Sequence, residues 1–219
     1  MSANPDRSYV PPLRFAWLTP FFDATVRATT REARWRPRLV TQARVQPGHR
    51  VLELGCGTGT LTVLIKTACP EAQVVGLDAD EQALAIARGK AEGAGLEIEF
   101  RHGLIDEARF DPDAFDRVVS SLVFHHLAPD GKRRALARVR QWLRPGGELH
   151  IADWGRAGSV WMRAAFVGVQ LLDGFENTRD QVTSGLEPFL AAAGFAEVQE
   201  THRVPTPLGV VSLYRAVAS

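Results

Sequence analysis

The sequence is poor in several things at once. Its 219 residues include only two cysteines, Cys56 and Cys69. They form neither a metal-ligand pattern nor the framework of a disulfide-stapled secreted protein. No apolar run reaches about 18 residues, so no bilayer-spanning helix is expected. Residues 1–12 are polar and proline-rich, with no apolar stretch leading to a cleavage site. No signal peptide is therefore expected, and a cytoplasmic location is the default. Lysine is scarce: Lys66, Lys90 and Lys132 leave 23 of the 26 basic residues to arginine. Repeats and low-complexity tracts are absent too.

What is present suits one domain of ordinary composition. Hydrophobic residues make up 45% and charged residues 23%, enough for a normal core without disulfide or metal. The net charge is +1, but it is spread unevenly. Residues 1–50 hold nine arginines against Asp6, Asp23 and Glu32, or +6, so the remainder carries −5. Such an asymmetry points to an N-terminal face that meets something anionic, or to a solvated helix face.

Residues 13–45 read as helices, with Leu13, Trp17, Phe21, Phe22 and Val26 near helical spacing and a break or restart at Pro37. The texture then changes to short apolar runs. Strands are predicted at Arg50–Leu54, Gln73–Leu77, Leu96–Arg101, Phe115–Ser121 and Glu148–Ala152. Helices are predicted between them at Thr60–Ala68, Asp80–Glu92 and Gly131–Leu143, the last stopped by Pro145-Gly146-Gly147. This alternation calls for a parallel sheet covered on both faces, with right-handed crossovers. An apolar helix over 157–175 and another over 185–193 follow. Two last strands, Glu197–Val204 and Gly209–Val217, are close enough to form an antiparallel hairpin across Pro205-Thr206-Pro207-Leu208.

Ligands of such sheets bind beyond the carboxyl ends of the strands. Gly55-Cys56-Gly57-Thr58-Gly59, Asp78, the turn after Arg101, Ser120 and Asp153 all fall there. The glycine loop lacks the third glycine of the dinucleotide fingerprint, whose place is taken by Thr60. Glu53 lies two residues before the loop, where a carboxylate would repel a pyrophosphate but suit an ammonium. Asp78, ending the second strand, can accept hydrogen bonds from both hydroxyls of a ribose. Its alternative use is to start the next helix, a task for which Asp80 is better placed.

Val51-Leu52-Glu53-Leu54-Gly55-Cys56-Gly57-Thr58-Gly59 resembles motif I of the class I S-adenosylmethionine-dependent methyltransferases. Val74–Asp78 resembles their second-strand motif. Phe115–Ser121 with His125-His126-Leu127 resembles the fourth-strand motif of the small-molecule branch, and Leu143–Leu149 the turn before strand five. Ala193-Gly194-Phe195 and the hairpin match the reversed seventh strand of that fold. The nearest flavour is the group of ubiquinone and menaquinone biosynthesis methyltransferases.

The resemblance implies a Rossmann-like, doubly wound, mostly parallel seven-stranded sheet over residues 46–219, with cap helices around 155–175 and an N-terminal helical cap over 1–45. It implies S-adenosyl-L-methionine as cofactor. Glu53 and the backbone of Gly55, Cys56, Gly57 and Gly59 would face its methionine end, with Ser120 nearby. Asp78 would hold the ribose, and Ala79 would flank the adenine. The family's Gly-Asp after strand three is here Gly103-Leu104, so adenine is expected on the backbone of Leu104 and Ile105, or on Asp106. The expected activity is methyl transfer to a small-molecule or lipid-like acceptor by in-line displacement. A protein handling a reactive sulfonium mainly positions it and excludes water. His125 and His126 are candidate bases, and Asp153 a candidate for orienting a hydroxyl or amine. No metal and no nucleic acid are expected, and a monomer or homodimer is. The apolar helices and the N-terminal arginines suggest a hydrophobic acceptor pocket with a basic rim, and a peripheral contact with anionic membrane.

Three other readings compete. A dehydrogenase would share the strand, the loop and the ribose acid. A nucleic-acid or protein methyltransferase would share the cofactor half, but Ser120-Ser121-Leu122-Val123 stands where base-methylating enzymes carry an Asn/Asp-Pro-Pro-aromatic run. A non-catalytic S-adenosylmethionine-binding protein would keep Glu53 and Asp78.

Overall fold

Alternating apolar stretches of two lengths build this molecule, the short ones as strands and the longer amphipathic ones as helices across them. The computed structural model describes residues 31–155, 185–207 and 209–219. The expected helical positions before residue 31 and the apolar helix over 157–175 lie outside the described residues.

In chain order the elements are α1 (Glu32–Ala43), β1 (Arg50–Leu54), α2 (Thr60–Ala68), β2 (Gln73–Asp78), α3 (Glu81–Gly93), β3 (Glu99–His102), β4 (Phe115–Ser121), a 3-10 turn (Phe124–His126), α4 (Pro129–Trp142), β5 (Leu143–Trp154), α5 (Glu187–Ala192), β6 (Phe195–Thr206) and β7 (Gly209–Ala218). The strands form one sheet in the order β3-β2-β1-β4-β5-β7-β6. Neighbours from β3 to β5 are parallel, and β7 runs antiparallel to both β5 and β6. The order reverses between β1 and β4, and ligands of such sheets bind beyond the carboxyl ends of the strands at that point.

Side-chain alternation sorts the two cores. Leu52, Leu54, Val118 and Ile151 pack with Leu136, Val139 and Trp142 of α4 and Leu190 of α5. Val51, Val119 and Ala152 pack on the other face with Trp35, Leu39 and Ala43 of α1 and Leu61 and Ile65 of α2. The central parallel strands β1, β2, β4 and β5 are therefore apolar on both faces.

Three expectations shift. The break or restart at Pro37 does not occur, because α1 runs through it. Trp35, Leu39 and Ala43, spaced by four, are fully buried, and this packing outweighs the one backbone bond that proline removes. The third strand is shorter than expected, because Leu96 is held in the turn ending α3 by its N–H bond to the Ala91 carbonyl. The fifth strand starts earlier, at Leu143, which pairs with Phe115. The Pro145-Gly146-Gly147 segment is absorbed as a register shift before Glu148 pairs with Arg117. The hairpin forms, with Pro205 and Thr206 already paired to Val210 and Gly209.

Candidate active site

The loop after β1 is shaped by its glycines. Gly55, Gly57 and Gly59 have φ of 63°, 51° and 74°, the left-handed region that a Cβ disfavours. A Cβ on Gly55 would stand 2.3 Å from Cγ2 of Val123, so the loop is pressed against the turn after β4. A Cβ on Gly57 would meet nothing within 4 Å, so this backbone borders open space. The N–H of Gly57 donates to Asp78 Oδ2 at 2.6 Å, and that of Asp80 to Asp78 Oδ1 at 2.9 Å. Asp78 thus ties loop to strand rather than capping α3. The cap is Asp80, whose Oδ1 accepts from the N–H groups of Gln82 and Ala83 at 2.8 and 3.2 Å. Burial raises the Asp78 carboxyl above its ordinary value, against the pull of its backbone donors.

Glu53 is buried at 1% exposure. Its Oε2 accepts a hydrogen bond from the Thr62 hydroxyl on α2. Burial pushes its carboxyl up to about 8, although Thr62 and the charge of Arg36 pull the other way. Such a group is neutral near pH 7 until a cation joins it. Burial likewise pushes the Cys56 thiol up, so this side chain is no thiolate nucleophile.

Along the rim, Ser120 is fully buried and donates to the Leu54 carbonyl at 3.1 Å, stitching β4 to β1. Ala79 meets His102 through its carbonyl, at 3.0 Å from Nε2. The Leu104 carbonyl accepts from the N–H groups of Glu107 and Ala108, and the Ile105 side chain packs onto the core. Asp106 turns toward Arg134, 3.8 Å away.

The second half of the site forms around Asp153. Leu122, at φ 55°, swings the chain out of β4 and into the 3-10 turn. Asp153 is fully buried beneath that turn. Its Oδ2 accepts from the N–H groups of Val123, Phe124 and His125 at 3.2, 2.7 and 3.3 Å, and its Oδ1 from Trp154 N–H at 2.7 Å. Oδ1 also lies 2.8 Å from His125 Nδ1. Burial alone would raise the Asp153 carboxyl, but the His125 charge and these donors take it below its ordinary value. The carboxylate is therefore ionised, and the proton between it and the ring sits on His125 Nδ1. The ring of His126 lies 3.8 Å from that of His125, centroid to centroid. Desolvation, then the His125 charge, lowers its pKa to about 3.

The structure thus brings the rim residues together in two groups, the loop with Glu53 and Asp78, and the 3-10 turn with Asp153. Two contributors carry no sequence signature. Thr62 supplies the hydroxyl on Glu53. Lys90 of α3 donates to the Thr58 and Thr60 hydroxyls, each at 2.9 Å, clamping the glycine loop from outside.

The chemistry of this donor set suits a cationic nucleoside. Glu53 and Asp78 oppose a pyrophosphate and favour an ammonium or sulfonium. Each Asp78 oxygen keeps acceptor capacity beyond its backbone bond. The open side of Gly57 lets a ligand approach the backbone closely.

Comparison with known proteins agrees. Residues 51–147 match the model of a methyltransferase domain family. A demethylmenaquinone methyltransferase of Thermus thermophilus is 36% identical over 142 residues, covering 64% of each chain. One from Clavibacter sepedonicus is 30% identical over 202 residues, covering 82% of this chain and 78% of its own. Phosphoethanolamine N-methyltransferase 2 of Haemonchus contortus, solved with S-adenosyl-L-methionine, shares the fold: TM-score 0.68, 16% identity, covering 83% of this chain and 51% of that one. The chain belongs to the class I S-adenosylmethionine-dependent methyltransferases. It spans 64% of the length of the Thermus relative.

Proposed function

We propose that the chain methylates a reduced quinone or similar aromatic diol bearing an apolar tail, using S-adenosylmethionine. The observation that carries this reading is the His125–Asp153 pair at the rim, 2.8 Å apart. The names of the menaquinone-pathway relatives support it. Glu53 would take the donor's ammonium, Asp78 its ribose hydroxyls, and the loop 55–59 its methionine end beside Ser120. Ala79 and the backbone of Leu104 and Ile105 would border the adenine, since Asp106 faces Arg134.

Bound S-adenosylmethionine supplies a methyl group already made electrophilic by the sulfonium. The chain's task is then to orient the acceptor and remove its proton. With Nδ1–H held by Asp153, the Nε2 of His125 is the ring nitrogen that takes a proton from an acceptor hydroxyl. The phenolate so formed is the stronger nucleophile at oxygen or at the adjacent ring carbon. His126 stays neutral and packs against His125 as a wall. Exposed Arg34 and Arg38 on α1 would help the protein rest from the cytoplasm on an anionic membrane where such acceptors reside.

The test follows labelled methyl transfer to a demethylated naphthoquinone, chemically reduced or oxidised, with ethanolamine phosphate as control. Transfer to the reduced form alone is expected. His125→Ala should lower turnover by about 10²-fold or more, the low end for a lost general base, with S-adenosylhomocysteine binding retained. His126→Ala should act more weakly. Transfer to the amine, or none to the reduced quinone, overturns the reading.

A further inference from the structure

A second site is built at the other end of the sheet. A cleft of about 590 Å³ lies between α1 and the β6–β7 hairpin, lined by Arg38, Thr41, Gln42, Arg44, Thr201, His202 and Arg215, with Pro37 at its edge. The lining holds three guanidiniums, an imidazole and three neutral polar side chains, and no carboxylate.

The guanidiniums are organised from below. Glu148, buried at the start of the regular part of β5, accepts from Arg44 Nη2 at 2.9 Å and Arg215 Nη2 at 2.6 Å. His150 Nε2 lies 3.1 Å from its other oxygen, and Arg117 Nε 3.8 Å. Gln42 closes the floor, donating to the Tyr214 carbonyl at 3.0 Å and reaching His150 Nδ1 at 3.2 Å; Thr201 donates to the Gln42 side-chain oxygen at 2.5 Å. One buried carboxylate therefore fixes two cations that it cannot neutralise alone. Glu197 meets Arg215 only at Nη1, 2.9 Å away and largely in solvent. Arg215 Nε is buried and has no hydrogen-bond partner, a costly state for a cationic donor. Arg38, Thr41 and His202 line the same cleft and are exposed.

The cleft is separate from the methyl-transfer rim. Arg215 pairs with His150 and Ser212 with Asp153. Three residues of strand, about 10 Å, lie between.

We infer that this cleft binds a phosphate-bearing anion. The guanidinium forks of Arg38 and Arg44 match phosphate oxygens, hydroxyl and imidazole donors complete the shell, and Arg215 adds its charge from the floor. The inference is independent of which acceptor is methylated. The same chemistry could be offered by a soluble phosphorylated metabolite or by a lipid headgroup.

The experiment is calorimetric titration of the full chain with inorganic pyrophosphate, paired with co-sedimentation on phosphatidylcholine vesicles with and without phosphatidic acid. Arg38→Gln and His202→Gln are the variants, because both side chains are exposed and outside the Glu148 network. S-adenosylhomocysteine binding, unchanged, shows that each variant is folded. Saturable pyrophosphate binding, weakened about tenfold by Arg38→Gln, is expected; that is the worth of one charge-assisted hydrogen bond. Binding in solution without vesicle retention assigns a soluble ligand. Retention on phosphatidic acid that is lost in both variants assigns a headgroup. Absence of both, or binding equal in wild type and variants, overturns the site.

Discussion

Glu53 is the residue whose chemistry departs furthest from its type. Folded, it holds its proton up to about pH 8; the ordinary glutamate value is 4.5. Between those values the unfolded chain has lost a proton that the folded chain keeps, so stability falls as pH rises through this window and levels off above it. The slope is at most about 1.4 kcal/mol per pH unit from this group. Thermal melts of the ligand-free protein from pH 5 to 8.5 should show it, and Glu53→Gln, which stays neutral, should flatten it. A donor ammonium arriving at Glu53 favours the ionised form, so binding near pH 6.5 should release a proton. Calorimetry in buffers of different ionisation enthalpy reads that proton, and an equal release in Glu53→Gln would remove Glu53 from the donor site. Asp78 is the companion case. Its Ala variant should bind S-adenosylhomocysteine more weakly by about 1–3 kcal/mol, the range for leaving charged hydrogen-bond partners unmet. Both acids are marked in the sequence by their places at the ends of β1 and β2. Asp153 was readable only as a rim acid. Its partners at Val123–His125 lie about thirty residues away, and no local pattern reveals that it is tied to His125.

At the scale of elements, legibility followed burial. Arg50–Leu54 and Phe115–Ser121 have the bounds their apolar runs announce, because both faces of each strand are covered. The edge strand β3 is half exposed, so its sequence constrains its ends weakly. Helix α1 shows tertiary packing overriding a local breaker. Trp35 is fully buried there, and Trp35→Ala should cost about 3–5 kcal/mol, read by urea denaturation. Asp80→Ala removes a cap bonded to two N–H groups and should cost about 1 kcal/mol.

Over the whole molecule, the two ends of the sheet carry opposite charge logic. The carboxyl rim gathers acids, and the amino end gathers arginines around Glu148. The His150 hydrogen bond, with those of Arg215, holds the Glu148 carboxyl well below its ordinary 4.5, while burial keeps His150 itself toward its neutral form. A lowered folded-state value means stability that is present above the unfolded value and lost as pH falls from there through the folded value. Glu148→Gln should therefore lower stability at pH 7 and lessen the loss on acidification below about pH 4.5, measured by denaturation at both pH values. The cleft itself was not legible, because its arginines come from the region of α1 and from β7, which lie at opposite ends of the described sequence and meet only once the hairpin has docked.

That docking has a consequence for how the molecule is made. β7 lies between β5 and β6, so the last of the seven described strands to be synthesised must enter the interior of the sheet. At about 5–20 residues per second, β5 waits several seconds after its synthesis before the backbone N–H and C=O groups of one edge meet β7. During that interval the nascent chain is sticky in a way the finished protein is not, and its yield in a cell depends on what shields that edge until residue 218 has emerged.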